Sequence, residues 1–239
     1  MTDLLYLEDS YLRDFDARVL GVDEQNVVLD RTAFYPRGGG QMADRGRIEA
    51  DGMRWSVVAV EKRGADVVHT VEAVPPSVGT RVRGIVDWDF RYQMMRTHSA
   101  LHVLCGVIYR RYGSQVTGCQ MYPDRARMDF TLADLTHDRV KEIETLTNEA
   151  IGAGYPVRVE FMPRSQADIT PDLIRTKINL VPAHVDPIRT VEIVGLDLQA
   201  DGGTHVRNTI EIGGLRITKT ENKGRENRRI EIVLSPLAD

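Results

Sequence analysis

The chain has 239 residues, of which 42% are hydrophobic and 28% charged. This composition excludes a disordered chain and allows one large or two small buried cores. A formal net charge of -4 excludes a uniformly basic, nucleic-acid-coating surface but permits a local basic patch. Two cysteines, no basic leader and no apolar run long enough to cross a bilayer together predict a soluble cytoplasmic protein without a disulfide framework.

The first 88 residues consist of short β-branched runs separated by turn signals such as Asp51-Gly52. They predict a small antiparallel barrel or sandwich as a domain of residues 1–88. This region contains the glycine-rich segment "FYPRGGGQMADRG" at 34–46. An ATP-type phosphate loop is not favoured there, because neither Lys-Ser nor Lys-Thr follows the glycines and no helical pattern begins.

Residues 89–239 are predicted to form a second domain of mixed helices and strands. The segment "DFRYQMMRTHSALHVLCGVIYRRYG" carries apolar residues at helical spacing and predicts one long helix that ends at Gly113. A second helix is predicted from Thr136, as its N-cap, to Ile151. Strands are expected near 115–131, 156–163 and 188–234.

Two histidines of the long helix are candidate metal ligands. His98 and His102 stand four residues apart, which places both imidazoles on one helix face. The alternative is a packing detail of an apolar helix. Ser99 follows His98 where zinc proteases have glutamate, so that protease pattern is absent. The best further partner is His205, although its glycine-containing loop could also be an ordinary turn with an exposed histidine.

A basic segment lies near the end of the chain. Between Arg216 and Arg229, six residues are Lys or Arg and two are acidic. On charge alone, a solvated edge hairpin is the simplest interpretation.

Five stretches together resemble the AlaX proteins, which are free-standing relatives of the editing module of alanyl-tRNA synthetase. In chain order they are "FYPRGGGQMADRG", "RTHSALHVL", "VTGCQMYPDRARMDF", "DGGTHVRNTIEIG" and "NKGRENRRIEI". The resemblance covers about residues 16–234 and is to the medium-length class. It implies an α+β fold, in which a small antiparallel β-barrel precedes a two-layer α/β editing domain of the type found in threonyl- and alanyl-tRNA synthetases.

The resemblance implies hydrolysis of serine, and possibly glycine, from mischarged alanine tRNA. Alanine-shaped pockets reject these amino acids poorly, so a second hydrolytic site is one remedy. His98, His102 and His205 match the family's positions for one zinc ion. Asp201 stands where relatives commonly have cysteine, and it could ligate zinc directly or accept a hydrogen bond from a ligating imidazole. Cys105, one turn after His102, could be a replacement ligand, but a cysteine buried in an apolar helix is the simpler interpretation.

Further site residues follow from the same resemblance. Thr117 is the candidate for recognising the serine hydroxyl, and a strand threonine is the alternative. His98, His102, Thr117 and Asp201 form the predicted catalytic set. The residues predicted to contact substrate or tRNA are Gly38, Gly39, Gly40, Gln41, Thr204, Lys223, Arg225, Arg228 and Arg229.

Two other functions stay open at this stage. One is a non-catalytic tRNA-binding module with a degenerate metal site, which the aspartate at position 201 makes conceivable. The other is a metal-dependent hydrolase of a small ester or amide. The sequence does not decide the oligomeric state or the general base.

Overall fold

The computed structural model describes residues 1–179 and 181–236 and has the expected α+β architecture. The chain divides into two compact units, Met1–Met94 and Met95–Asp239. Among the helices in these described ranges, none is long and apolar enough to cross a membrane.

Strands dominate the first unit. They are β1 (Asp3–Leu4), β2 (Asp14–Asp23), β3 (Asn26–Leu29), β4 (Arg31–Thr32), β5 (Gly46–Ala50), β6 (Met53–Arg63), β7 (Asp66–Val71) and β8 (Arg81–Val86). Six of them close an antiparallel barrel in the order β2-β3-β7-β6-β5-β8, while β1 and β4 pair in parallel. The predicted barrel is therefore confirmed and the sandwich alternative is wrong.

Alternation of side chains explains the barrel interior. On β2, Phe15, Ala17 and Val19 are buried while the residues between them are exposed, which is the period of two expected for a strand with one buried face. Gly84 on the neighbouring β8 lies against Phe15, and a Cβ there would come within 2.4 Å of the ring. A glycine at this position therefore lets the phenylalanine ring fill the barrel.

The long predicted helix is confirmed as α1 (Trp88–Tyr112), which ends at Gly113 with a φ of 63°. It begins in the first unit and continues into the second. The predicted boundary after residue 88 coincides with its start, whereas the two units divide at 94/95. In the early turns of α1, Arg91 is hydrogen-bonded to Asp44 and Ser10 of the first unit.

In its described residues, the second unit also has the α-helices α2 (His137–Gly152) and α3 (Arg164–Ala167) and a short 3-10 helix, Thr209–Ile212. Thr136 caps α2 as predicted, its side chain accepting a hydrogen bond from the Arg139 amide at 3.3 Å. The strands are β9 (Val116–Met121), β10 (Ala126–Phe130), β11 (Val157–Met162), β12 (Ile188–Ile193), β13 (Asp197–Ala200), β14 (Leu215–Asn222) and β15 (Arg228–Leu234).

These strands form two antiparallel sheets. One has the order β14-β15-β10-β9 and the other the order β11-β12-β13. Helix α1 meets the second sheet at Gly106, where an added Cβ would lie 3.0 Å from the Cβ of Asp197. The glycine therefore lets the start of β13 approach the helix closely, next to the turn that carries His102.

Candidate metal centre

Four side chains of the second unit converge on one point. The ligand atoms of His98, His102, Asp201 and His205 all lie within 4.8 Å of one another. Helix α1 contributes the first two residues from one face, and the loop after β13 contributes the other two. The ring centroids of His98 and His205 are 4.3 Å apart. The structure thus brings together all four residues of the predicted metal set.

The Asp201 carboxylate faces all three imidazoles. Its Oδ1 lies 3.0 Å from Nε2 of His205 and accepts a 2.6 Å hydrogen bond from the Gly203 amide. Its Oδ2 lies 3.5 Å from Nε2 of His98 and 3.8 Å from Nε2 of His102. Oδ1 is therefore held by the loop, whereas Oδ2 points at the histidine pair of α1.

Burial controls the charge of these groups. It lowers the pKa of His98 well below its ordinary value and the pKa of His205 to about 4, so both imidazoles are neutral near pH 7. Burial alone would raise the pKa of Asp201, but the neighbouring His98, His102 and His205 outweigh it and hold that pKa well below its ordinary value. His98 and His205 therefore offer neutral imidazoles, and Asp201 offers an ionised carboxylate.

This donor set fits a single zinc ion. Zinc binds neutral imidazole nitrogen and carboxylate oxygen, most often with four ligands in a tetrahedron. Bonds of about 2.0–2.1 Å place tetrahedral ligand atoms roughly 3.4 Å apart. The 3.5 and 3.8 Å separations between Oδ2 of Asp201 and the two helix histidines are near that spacing, and all four ligand atoms lie within 4.8 Å of one another.

A second carboxylate, that of Asp197 on β13, lies near the Nδ1 side of the His102 ring. Oδ2 of Asp197 is 3.8 Å from Nδ1 of His102, and this buried ring nitrogen has no hydrogen-bond partner. Asp197 itself is fully buried and is held by Nε of Arg175 at 3.1 Å and Nε2 of Gln199 at 2.6 Å. Sequence reasoning missed this residue. The available signal was its position four residues before Asp201, which directly follows β13, because residues two or four apart along a strand share a sheet face.

Ser99 supports the third imidazole. Its Oγ lies 3.2 Å from Nδ1 of His205 and accepts a 3.1 Å hydrogen bond from the Val206 amide. Ser99, which stands where zinc proteases have glutamate, is therefore buried beside the cluster and orients His205 of the opposite loop.

Both cysteines lie outside the ligand set. Burial raises the pKa of the Cys105 thiol well above its ordinary value and that of Cys119 to about 12. Neither thiol ionises near neutral pH, and Cys105 is not among the four converging residues. Cys105 as a replacement ligand is therefore not supported, and a buried helix cysteine accounts for it.

Thr117 and Thr204 have contrasting environments. Thr117 is exposed on β9, where a register shift opposite Asp129 and Phe130 forms a bulge, and its hydroxyl donates a 2.8 Å hydrogen bond to Asn227. Thr204 is buried beside His205. Neither belongs to the converging set, so their roles towards a substrate stay predictions.

The glycine segment forms a tight turn in the first unit. Gly38 and Gln41 pair with each other, and both central residues have positive φ, 55° at Gly39 and 83° at Gly40. This conformation, as in type I′ turns, is the physical reason for the glycines. The Gln41 side chain is buried, with 1% of its surface exposed. Close approach of tRNA to these residues stays a prediction.

The same segment ends in a buried ion pair. Asp44 accepts hydrogen bonds from the Arg91 guanidinium and a 2.6 Å bond from the Tyr35 amide, and both charged side chains are fully buried. Arg91 also donates to the carbonyls of Ser10 and Ala33. The segment is thus fixed to the first turns of α1 within the first unit.

The basic segment is the hairpin of β14 and β15, and part of it has structural partners. Arg229 donates two 2.7 Å hydrogen bonds to Asp129, and Arg228 donates to the carbonyls of Ala133 and Gly224. These contacts join β15 to β10 and close the hairpin. Arg228 and Arg229 therefore have structural partners within the second unit.

The other two hairpin cations predicted to contact tRNA reach solvent. Lys223 forms a 3.2 Å ion pair with Glu221 and keeps 38% of its side chain exposed, and Arg225 is exposed at the hairpin tip. These two are better placed to meet a large anionic partner.

Comparison with known proteins identifies two matching family models and several relatives. Residues 8–90 match the family described as tRNA synthetases class II (A), and residues 188–231 match the threonyl and alanyl tRNA synthetase second additional domain. The alanine–tRNA ligase of Pyrobaculum neutrophilum is 44% identical over 225 residues, which cover 91% of this chain and 25% of the ligase.

Two free-standing relatives match along their whole length. The alanyl-tRNA editing protein AlaX-M of Methanosarcina acetivorans is 42% identical over 98% of this chain and 99% of its own. The protein of the same name from Saccharolobus solfataricus is 38% identical over 99% of this chain and 100% of its own. The chain therefore belongs to the AlaX-M family of alanyl-tRNA editing proteins.

Proposed function

We propose that the protein is a trans-editing deacylase that hydrolyses the ester linking serine, and also glycine, to the 3′ end of alanine tRNA. The observation that carries this proposal is the buried convergence of His98, His102, Asp201 and His205 in a chain of this family. A tRNA substrate also implies a cytoplasmic location.

One zinc ion is the proposed cofactor. His98, His102 and His205 would bind it through Nε2, and Asp201 through Oδ2, because Oδ1 already accepts the hydrogen bond from the Gly203 amide. Bound there, zinc supplies positive charge that can polarise the ester carbonyl or lower the pKa of a water molecule. Aspartate in place of a thiolate makes the set harder, so zinc should bind less tightly than with cysteine.

The chain's own groups supply orientation. Asp197 would accept a hydrogen bond from Nδ1–H of His102, and Ser99 Oγ would accept one from Nδ1–H of His205. These contacts select the tautomer whose Nε2 lone pair is free for a metal. His98 and His205 are neutral and Asp201 is ionised near pH 7, which are the protonation states that metal binding requires.

Recognition of the amino acid requires a contact that alanine does not make. We assign this to Thr117, whose hydroxyl already bonds Asn227 and could exchange that partner for the serine hydroxyl. A hydrogen bond that alanine leaves unmade discriminates more strongly than steric exclusion of a small side chain.

Contact with the tRNA backbone is assigned to Lys223 and Arg225. Phosphate contacts position a nucleic acid without reading its sequence, and they weaken as salt rises. Gly38, Gly39, Gly40, Gln41, Thr204, Arg228 and Arg229 belong to the wider proposed tRNA-binding set.

The test compares wild type, His98→Ala and the exposed control His184→Ala on seryl-, glycyl- and alanyl-tRNA. We expect hydrolysis of the first two substrates by wild type and control, and loss of both activity and bound zinc in His98→Ala. Retained tRNA binding with no hydrolysis by zinc-loaded wild type would favour the non-catalytic module. Hydrolysis of simple serine esters at a rate that tRNA does not increase would favour the small-ester hydrolase.

A further inference from the structure

Three residues form a row that crosses β11 and β12 and continues to the residue directly after β13, where it ends at the metal centre. Phe161 on β11 is paired directly with Arg189 on β12. Arg189 in turn lies opposite Asp201, whose amide donates a 3.1 Å hydrogen bond to the Arg189 carbonyl. The Arg189 guanidinium also donates a 2.8 Å bond to the carbonyl of Asp201.

All three side chains are on one face of this sheet. Directly opposed residues of antiparallel strands point the same way, and so do residues two apart along a strand. Asp197, on the same face as Asp201, lies against α1 at Gly106. Met162, the neighbour of Phe161, belongs to the opposite face and packs with Leu173 and Ile188.

Phe161 is unusual among the phenylalanines of the chain. The other four are at most 7% exposed, whereas Phe161 is 45% exposed. Phe161 lies at the solvent end of a row whose other end is the metal centre. An exposed aromatic ring there gains nothing from packing within the protein. Such a ring is suited to stacking on another flat apolar surface.

The distance from Phe161 to the centre matches one nucleotide. Adjacent strands lie about 4.8 Å apart, which places the Phe161 Cα roughly 10 Å from that of Asp201. In an aminoacyl-tRNA, the ester and the terminal base are attached to the same ribose. We propose that Phe161 is the stacking surface for the 3′-terminal nucleobase of the tRNA whose ester is hydrolysed at the metal centre. This inference rests on the proposed deacylase function.

Steady-state kinetics on seryl-tRNA test the stacking surface. Phe161→Leu keeps an apolar side chain but removes the ring, and it should raise KM about 10-fold, equal to about 1.4 kcal/mol, with little change in kcat. Phe161→Tyr should retain the wild-type KM. Ile210→Ala, which alters a side chain that is 61% exposed in the same unit, is the matched control and should change nothing.

A second substrate separates stacking from a structural effect. In it, the terminal nucleotide of seryl-tRNA is replaced by abasic 1-deoxyribose, which keeps the ester but has no base. Wild type and Phe161→Leu should hydrolyse this substrate with equal KM, because the ring has nothing to stack on. An unchanged KM for Phe161→Leu on normal seryl-tRNA, or the same 10-fold loss on the abasic substrate, would overturn the inference. A wild type that hydrolyses neither substrate refutes the deacylase function instead.

Discussion

Acid should destabilise the barrel unit through His69, a fully buried histidine on β7 that takes no part in the metal centre. Its Nδ1 lies 3.2 Å from the Val27 carbonyl and its Nε2 is 2.8 Å from the Thr32 hydroxyl. A carbonyl only accepts, so Nδ1 carries the hydrogen and Nε2 accepts from Thr32. The ring is therefore held in its neutral form.

The size of the effect follows from the pKa of this group. Burial lowers the pKa of His69 from 6.5 to about 4 in the folded protein. Between these two values the unfolded chain binds a proton and the folded chain does not, so stability falls as the pH falls from 6.5 towards 4. At about 1.4 kcal/mol per pKa unit, the loss approaches roughly 3 kcal/mol, of which about 2.5 kcal/mol is reached by pH 4.5.

Tryptophan fluorescence is a suitable readout, because both tryptophans, Trp55 and Trp88, lie in the unit Met1–Met94. Urea unfolding at pH 7.5 and 4.5 should show that wild type loses about 2.5 kcal/mol more than His69→Gln. The remaining titratable groups are shared by both proteins and cancel in the difference. Equal acid destabilisation of the two proteins would refute the reasoning. His137→Gln, at an exposed site, should behave as wild type.

Three further predictions concern the metal centre and the substrate. Asp197→Asn should weaken zinc binding by about 10- to 100-fold, measured by competition with a chelator, because Nδ1 of His102 loses its carboxylate. Asp201→Cys should bind zinc more tightly than wild type in the same assay, because a thiolate is a softer ligand. Thr117→Val should lower kcat/KM for seryl-tRNA about 10-fold relative to glycyl-tRNA, as a hydrogen bond to the serine hydroxyl is lost.

Each of these predictions has a contradicting result. Unchanged zinc affinity in Asp197→Asn would mean that the 3.8 Å separation from His102 does not close when metal binds. Weaker zinc binding by Asp201→Cys would indicate that Asp201 is not a direct ligand. An unaltered ratio of the seryl and glycyl activities in Thr117→Val would remove Thr117 from substrate recognition.

Local patterns in the sequence determined most of the secondary structure and part of the metal centre. Gly113 and Thr136 mark helix ends because their conformation and side-chain chemistry act within one turn. The spacing of His98 and His102 fixes their common face for the same reason. The motif order carried the AlaX resemblance, and with it His205 and Asp201.

Other features depended on which strands pair and in what register, and only the tertiary structure decided them. Asp129 pairs with Arg229, which lies a hundred residues later along the chain. The sequence assigned Arg229 to tRNA binding, and no short-range pattern predicted that it would join two strands of a sheet. Asp197 lies 3.8 Å from His102 because Gly106, which has no side chain, lets β13 pack close to the helix. Register is a long-range property, since a shift by one residue would turn every side chain of a strand to the other face.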